Sequence, residues 1–359
     1  MSCPSETFFV WIGIFGFAVA LLVTSNVLRK GVRYQYFIYS ELVWLFGLIT
    51  IIIALFAVFY LSPELMLFAT YVNAVSLFFL LPECDSISRE GVDTVKITLF
   101  AIITTLYVVV ATYTPSTFWV EPFPDGACIG WNPLVPATFA YVIEWLVPNC
   151  AYFRMVYKMH VQAPRHLRKY SRLYLWGDFI CTFLYPIGDA IVVPGIMGIQ
   201  VLFIGVGVMM MAFTVALHPK LIFILPFRAL RLTVIDTDSG IALFNHTWED
   251  MGLLVDEDLY ASMLQGVNLI LKESINRGDM QEIKLDRAVV LAHRYPNYPI
   301  TCVVTATKSS RTLRDALRQF AERFYEKFAI YFTFSSNYSL FDSAHALVEE
   351  CFPFVPRYD

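Results

Sequence analysis

The sequence predicts a membrane all-α bundle of seven helices, followed by a cytoplasmic α+β domain in which helices sandwich a five-stranded antiparallel sheet. Three observations predict it. Of the 359 residues, 57% are hydrophobic and only 16% are charged, where a soluble domain carries about a quarter charged residues. The apolar excess lies before Leu217, and the sequence beyond Leu230 has the polarity of an ordinary soluble domain. Lys and Arg fall on one side only of the apolar segments, as they do around membrane helices.

A helix crossing hydrocarbon needs about 20 mostly apolar residues, because only a closed helix satisfies its own backbone there. Seven segments qualify: Thr7–Leu28, Phe37–Tyr60, Leu65–Leu81, Val95–Tyr113, Pro133–Phe153, Leu173–Val193 and Ile196–Leu217. The first is followed, not preceded, by its basic flank, which distinguishes it from a cleaved signal peptide. On one side of the spans lie Arg29, Lys30, Arg33, Arg89, Lys96, Arg154, Lys158, Arg165, Arg168, Lys169 and Arg172. The connections on the other side, Met1–Glu6, Leu61–Glu64, Thr114–Asn132 and Pro194–Gly195, hold no Lys or Arg. This distribution puts the N-terminus outside a cell membrane and, after seven crossings, the C-terminal domain in the cytoplasm. Trp119, Trp131, Trp44 and Trp176 fall near span ends, where interfacial aromatic residues belong.

The expected division is a seven-span bundle over residues 1–218, a short linker over 219–230 and a cytoplasmic domain over 231–359. The net charge of −4 argues against a nucleic-acid partner, which needs a basic face. The seven cysteines show no zinc-type spacing. Only Cys3 and Cys128 lie outside in this topology, as a disulfide or as two thiols.

Ionisable residues at membrane depth usually face the bundle interior and are candidates for function. Asn73 and Glu144 fall near the middle of the third and fifth spans. Asp178, Thr182, Tyr185 and Asp189 recur at helical spacing on one face of the sixth, where Pro186 and Gly188 predict a kink. Two readings follow. Asn73, Glu144, Asp178, Tyr185 and Asp189 line a polar site for a cation or small polar ligand, or they hydrogen-bond the helices to one another. A second candidate pair is electrostatic: the basic inner stretch with Arg165, Arg168 and Lys169, and the acidic Asp256, Glu257 and Asp258. Either these two face each other and a partner, or the first meets anionic lipid and the second caps a helix N-terminus.

In the domain, Arg231–Asp236 and Ile241–Thr247 read as strands around the turn Thr237-Asp238-Ser239-Gly240. Glu257–Arg277 reads as a helix burying Leu259, Met263, Val267, Ile270 and Leu271. Met280–Leu285, Ala288–Arg294 and Ile300–Thr307 are strands, Arg311–Phe332 a helix burying Leu313, Leu317, Phe320, Phe324 and Phe328, and Leu340–Cys351 a final helix. Asp236, Asp238, His246, Glu249 and Asp250 are metal-type ligands close in sequence. Their Asp-Thr-Asp-Ser-Gly core reads as a turn, and no metal or cofactor is expected.

No nucleotide loop or nucleophile elbow is present in the sequence, and no enzyme is expected. The last span lacks the Schiff-base lysine of a microbial retinal protein, and the triplet and Asn-Pro-x-x-Tyr signals of G-protein-coupled receptors are missing. In layout the bundle loosely resembles the seven-helix sensor regions of some histidine kinases, though no kinase follows.

The strand and helix order, with Ile235-Asp236-Thr237-Asp238-Ser239-Gly240, Leu243-Phe244-Asn245-His246, Ala261–Gly266, Lys272-Glu273-Ser274 and Asp315–Phe320, resembles the longin and roadblock superfamily, a profilin-like sandwich. The resemblance covers about the last 130 residues and implies a non-catalytic platform for a protein partner, with a small GTPase as candidate and homodimerisation as an option. Three functions are therefore expected to compete: a sensor whose bundle signals to the domain, a passive scaffold, and a transporter or proton-linked protein using Glu144, Asp178 and Asp189.

Overall fold

The computed structural model describes residues 4–29, 35–89, 92–114, 117–123, 126–132, 134–185, 199–224, 227–237, 239–248, 257–275, 281–294, 300–329 and 338–357. They form two compact units, Met1–Ile222 and Phe223–Asp359.

The first unit is helical. Helices α1 (Pro4–Arg29), α2 (Gln35–Tyr60), α3 (Pro63–Arg89), α4 (Thr94–Tyr113), α5 (Pro136–Gln162), α6 (Arg168–Phe179, continued by a π turn over Ile180–Leu184) and α7 (Ile199–Leu217) each contain or overlap an expected span. Three described stretches are long and apolar enough to cross a membrane: Ile38–Tyr60, Pro63–Ser88 and Thr94–Tyr113. Trp11–Val23 and Val201–Leu217 are shorter apolar helices. The unit is apolar on its outside. Phe15, Phe59, Leu99 and Phe139 are each about 60% exposed, whereas Glu144 is fully buried.

Local chemistry sets the ends of these helices. Leu61 takes a left-handed φ of 51° after α2, and the Ser62 hydroxyl accepts from the Leu65 amide at 3.3 Å to start α3. Asp93 caps α4 through the Val95 and Lys96 amides. The third span was expected to end at Leu81, but α3 continues through Pro82 to Arg89. Within its polar tail Asp85 accepts from Lys96 Nζ at 2.8 Å and from the Asp93 amide at 3.0 Å. The basic inner stretch is also mostly helical, since α5 runs to Gln162 and α6 starts at Arg168. Close packing relies on glycine. A Cβ at Gly16 would lie 2.7 Å from the Gly205 carbonyl oxygen, and one at Gly177 would lie 2.7 Å from that of Gly207. Backbones that touch in this way are how small residues join helices where burial alone gives little drive.

The connection after α4 holds a hairpin: β1 (Phe118–Phe123) pairs antiparallel with β2 (Gly126–Trp131). Its signal was legible, for Pro124-Asp125-Gly126 stands between aromatic and β-branched residues. Cys3 lies outside the described residues, so its pairing with Cys128 does too.

The second unit has β3 (Ala229–Asp236), β4 (Ala242–Thr247), α8 (Glu257–Ile275), β5 (Glu282–Lys284), β6 (Val289–Arg294), β7 (Ile300–Ala306), α9 (Arg311–Phe328) and α10 (His345–Cys351), with a 3-10 turn over Tyr338–Ala344. The strands form one antiparallel sheet in the order β4-β3-β7-β6-β5. The β3–β4 turn is closed by Gly240, whose φ of 75° suits glycine and whose amide donates to the Asp236 carbonyl at 2.8 Å. Alternation along the strands divides the core. Ile235, Val290 and Val303 pack under Ala261 and Leu264 of α8. The opposite parity carries Phe244, whose ring lies 6.3 Å from Phe320 and 6.2 Å from Phe324 of α9. Helices therefore cover both faces. Ser310 caps α9 by accepting from the Leu313 amide at 3.2 Å, and Leu313, Leu317, Phe320, Phe324 and Phe328 are buried as expected.

Helix α8 corrects one expectation. Leu259 and Met263 are 64% and 55% exposed, and the face on the sheet is Tyr260, Ala261 and Leu264. The small Ala261 and the aromatic Tyr260, whose hydroxyl meets Thr305 Oγ1 at 2.6 Å, outcompete the longer apolar stripe. The domain also reaches upstream of Arg231. Phe227 is buried edge-on against Phe354 at 5.9 Å, and Ala229 and Leu230 belong to β3 and its core.

Candidate functional site

Helices α3 and α5 each carry a proline near a buried acid. Pro82 precedes Glu83 in α3. Pro148 has no N–H to return to the Glu144 carbonyl in α5. In α6 a π turn over Ile180–Leu184 lies between Asp178 and Tyr185.

The buried groups lie at two levels. At the first, Asn73 Nδ2 donates to Tyr141 Oη at 3.2 Å, and Tyr141 Oη lies 3.1 Å from Tyr185 Oη. Tyr107 Oη donates to Thr70 Oγ1 at 2.6 Å beside them, and the Tyr107 and Tyr141 rings are 5.6 Å apart. At the second, the Tyr152 and Tyr174 hydroxyls meet at 2.5 Å. Glu83 and Asp178 both act electrostatically on this pair. The Ser40 hydroxyl hydrogen-bonds the Glu83 carboxyl, and Thr182 Oγ1 donates to Asp178 Oδ1 at 3.2 Å.

These acids are 0–3% exposed. Among the described residues, both oxygens of Glu144, Oε2 of Glu83 and Oδ2 of Asp178 are buried without a hydrogen-bond partner. A buried polar atom left in this way is costly, and natural proteins hold few of them.

Of the residues the sequence singled out, Asn73 and Tyr185 meet through Tyr141. Asp178 lies with the second level, while Glu144 is buried near Tyr107. Asp189 lies outside the described residues. Arg165, Arg168 and Lys169 are exposed. Glu257 and Asp258 open α8, and Asp256 lies outside the described residues. Sequence reasoning missed Glu83 and the tyrosines, although Asn73, Ser76, Leu80 and Glu83 keep one helical face.

In the second unit, the described residues contain no group of three His, Cys, Asp or Glu able to hold a metal. Asp238, Glu249 and Asp250 lie outside those residues. His246 instead meets His345, Nδ1 to Nδ1, at 3.1 Å. Burial first, and then the neighbouring His345 and Arg357, push the His246 pKa down to about 4 against the opposing Glu349. No protein family, curated protein or solved structure matches the chain.

Proposed function

We propose that the chain is a seven-span membrane protein that presents a longin-like domain at the cytoplasmic face, where the domain recruits a protein partner. The observation that carries this reading is the inverted polarity of the first unit, with phenylalanine and leucine outside and unpartnered carboxyls inside. The one-sided Lys and Arg distribution supports the orientation. The sheet with helices on both faces supports the longin-like reading of the second unit, and such platforms make a small GTPase the candidate partner. Lipid contacts the apolar outside, and Arg165, Arg168 and Lys169 meet its headgroups or a partner.

The test uses the full chain in lipid nanodiscs, incubated with purified small GTPases in the GDP-bound or GTP-analogue-bound state. Nucleotide-dependent retention that disappears when residues 223–359 are deleted supports the reading. Equal retention without those residues contradicts it. A second, ion-linked reading is favoured by Glu144 and Asp178, whose carboxyl oxygens lack partners, with Asp189 as the third acid. Its test is ion or proton flux in vesicles.

A further inference from the structure

We propose that Glu83, Asp178 and the Tyr152–Tyr174 hydroxyl pair form a proton-binding site inside the bundle, which takes up and releases one proton. The proposal rests on the bundle's being embedded in a membrane, and it deepens the ion-linked reading.

Three helices supply the site: α3 (Glu83), α5 (Tyr152) and α6 (Tyr174 and Asp178). Both acids are at most 3% exposed and each keeps one oxygen without a partner. Among the described residues, the groups around them bring no free cation. From α2 comes Ser40, next to Glu41; from α3, Cys84 and Asp85; from α6, Cys181. Helix α7 has no titratable side chain. Lys96 of α4 acts on Cys84, but it is 2.8 Å from Asp85 and 3.8 Å from Asp93.

Two ionised carboxylates in such a place would carry two uncompensated charges, which low-dielectric surroundings do not tolerate. At least one proton must therefore be bound. On release, one carboxyl O–H bond breaks, the proton passes to water and the electron pair stays on the carboxylate. In the tyrosine pair one hydroxyl donates to the other, so the accepting tyrosine keeps a hydrogen of its own to donate. Glu144 is buried near Tyr107, away from the Tyr152–Tyr174 pair, and is not part of the site.

Infrared difference spectroscopy of the full chain in lipid vesicles, stepped between acidic and alkaline buffer, tests this. The expected result is a carbonyl band of a protonated carboxyl that rises on acidification. Measured in an E144Q background, which removes the other buried acid, it is lost on adding E83Q or D178N and shifted in midpoint by Y174F, which retains both acids. A pH-independent spectrum of the unsubstituted chain overturns the proposal, as does a band that survives in that background with either E83Q or D178N added. Loss of the band on adding sodium at constant acidic pH assigns the site to a cation and overturns it too. Alkaline extraction of the same vesicles reports membrane embedding separately, so failure of that premise is recognised on its own.

Discussion

The hydroxyls of Tyr152 and Tyr174 lie 2.5 Å apart, and the contact between Tyr141 and Tyr185 repeats theirs at 3.1 Å. Tyr152 follows Tyr141 by eleven positions, and Tyr185 follows Tyr174 by eleven. Eleven residues make about three turns, so two antiparallel helices meet through the same residue type at two levels. The lower pair is buried on both sides, and this asymmetry decides what its removal should cost.

Tyr152→Phe or Tyr174→Phe alone leaves a buried hydroxyl without its partner and should cost about 1–3 kcal/mol. The double variant removes both and should cost clearly less than the two single costs added together. Denaturant unfolding of all four proteins in one detergent measures this. Additive costs would mean that the two hydroxyls are not energetically linked.

Glycine packing makes a second prediction. Gly16→Ala puts a Cβ within 2.7 Å of a backbone carbonyl and should destabilise the bundle by about 1–3 kcal/mol, as overpacking does. Gly266→Ala in α8 meets nothing within 4 Å. It should be neutral or stabilise by up to about 1 kcal/mol through helix propensity. Thermal unfolding of both variants checks the contrast.

The second unit should fold alone as residues 223–359, and Phe320→Ala in it should cost about 3–5 kcal/mol. A fragment starting at Arg231 loses Phe227, Ala229 and Leu230 from the core and should unfold at lower denaturant. Equal midpoints for the two fragments would remove that upstream segment from the fold.

Acid should weaken the same unit. His246 titrates near 4 in the folded state, below the ordinary histidine value of 6.5. The unfolded chain therefore binds more protons between those values, and stability falls as pH drops through that window. His246→Gln should flatten the slope of stability against pH between 6.5 and 4. An unchanged slope would assign the acid sensitivity to other groups.

Much of this architecture was legible in the sequence. Apolar length located the helices, and period-two alternation located all five strands of the sheet. Two kinds of signal misled. Polar residues made α3 look finished at Leu81, although Asp85 could be satisfied by Lys96 and the Asp93 amide. In α8 the larger apolar stripe predicts the core face, yet the residues packed on the sheet are Tyr260, Ala261 and Leu264. The candidate site was half visible. Asn73, Glu144, Asp178 and Tyr185 stood out as polar residues in apolar runs. The tyrosines did not, because Tyr is equally at home in a core or at an interface, and only the helix pairing reveals which hydroxyls meet.

The central claim is an odd number of crossings that separates the N-terminus from the C-terminal domain. Sealed right-side-out vesicles holding the chain with a different epitope at each end, treated with protease, test it most directly. The account predicts loss of the N-terminal epitope and survival of the C-terminal one until detergent is added. Cleavage of the C-terminal epitope in sealed vesicles, or protection of both ends, would contradict it.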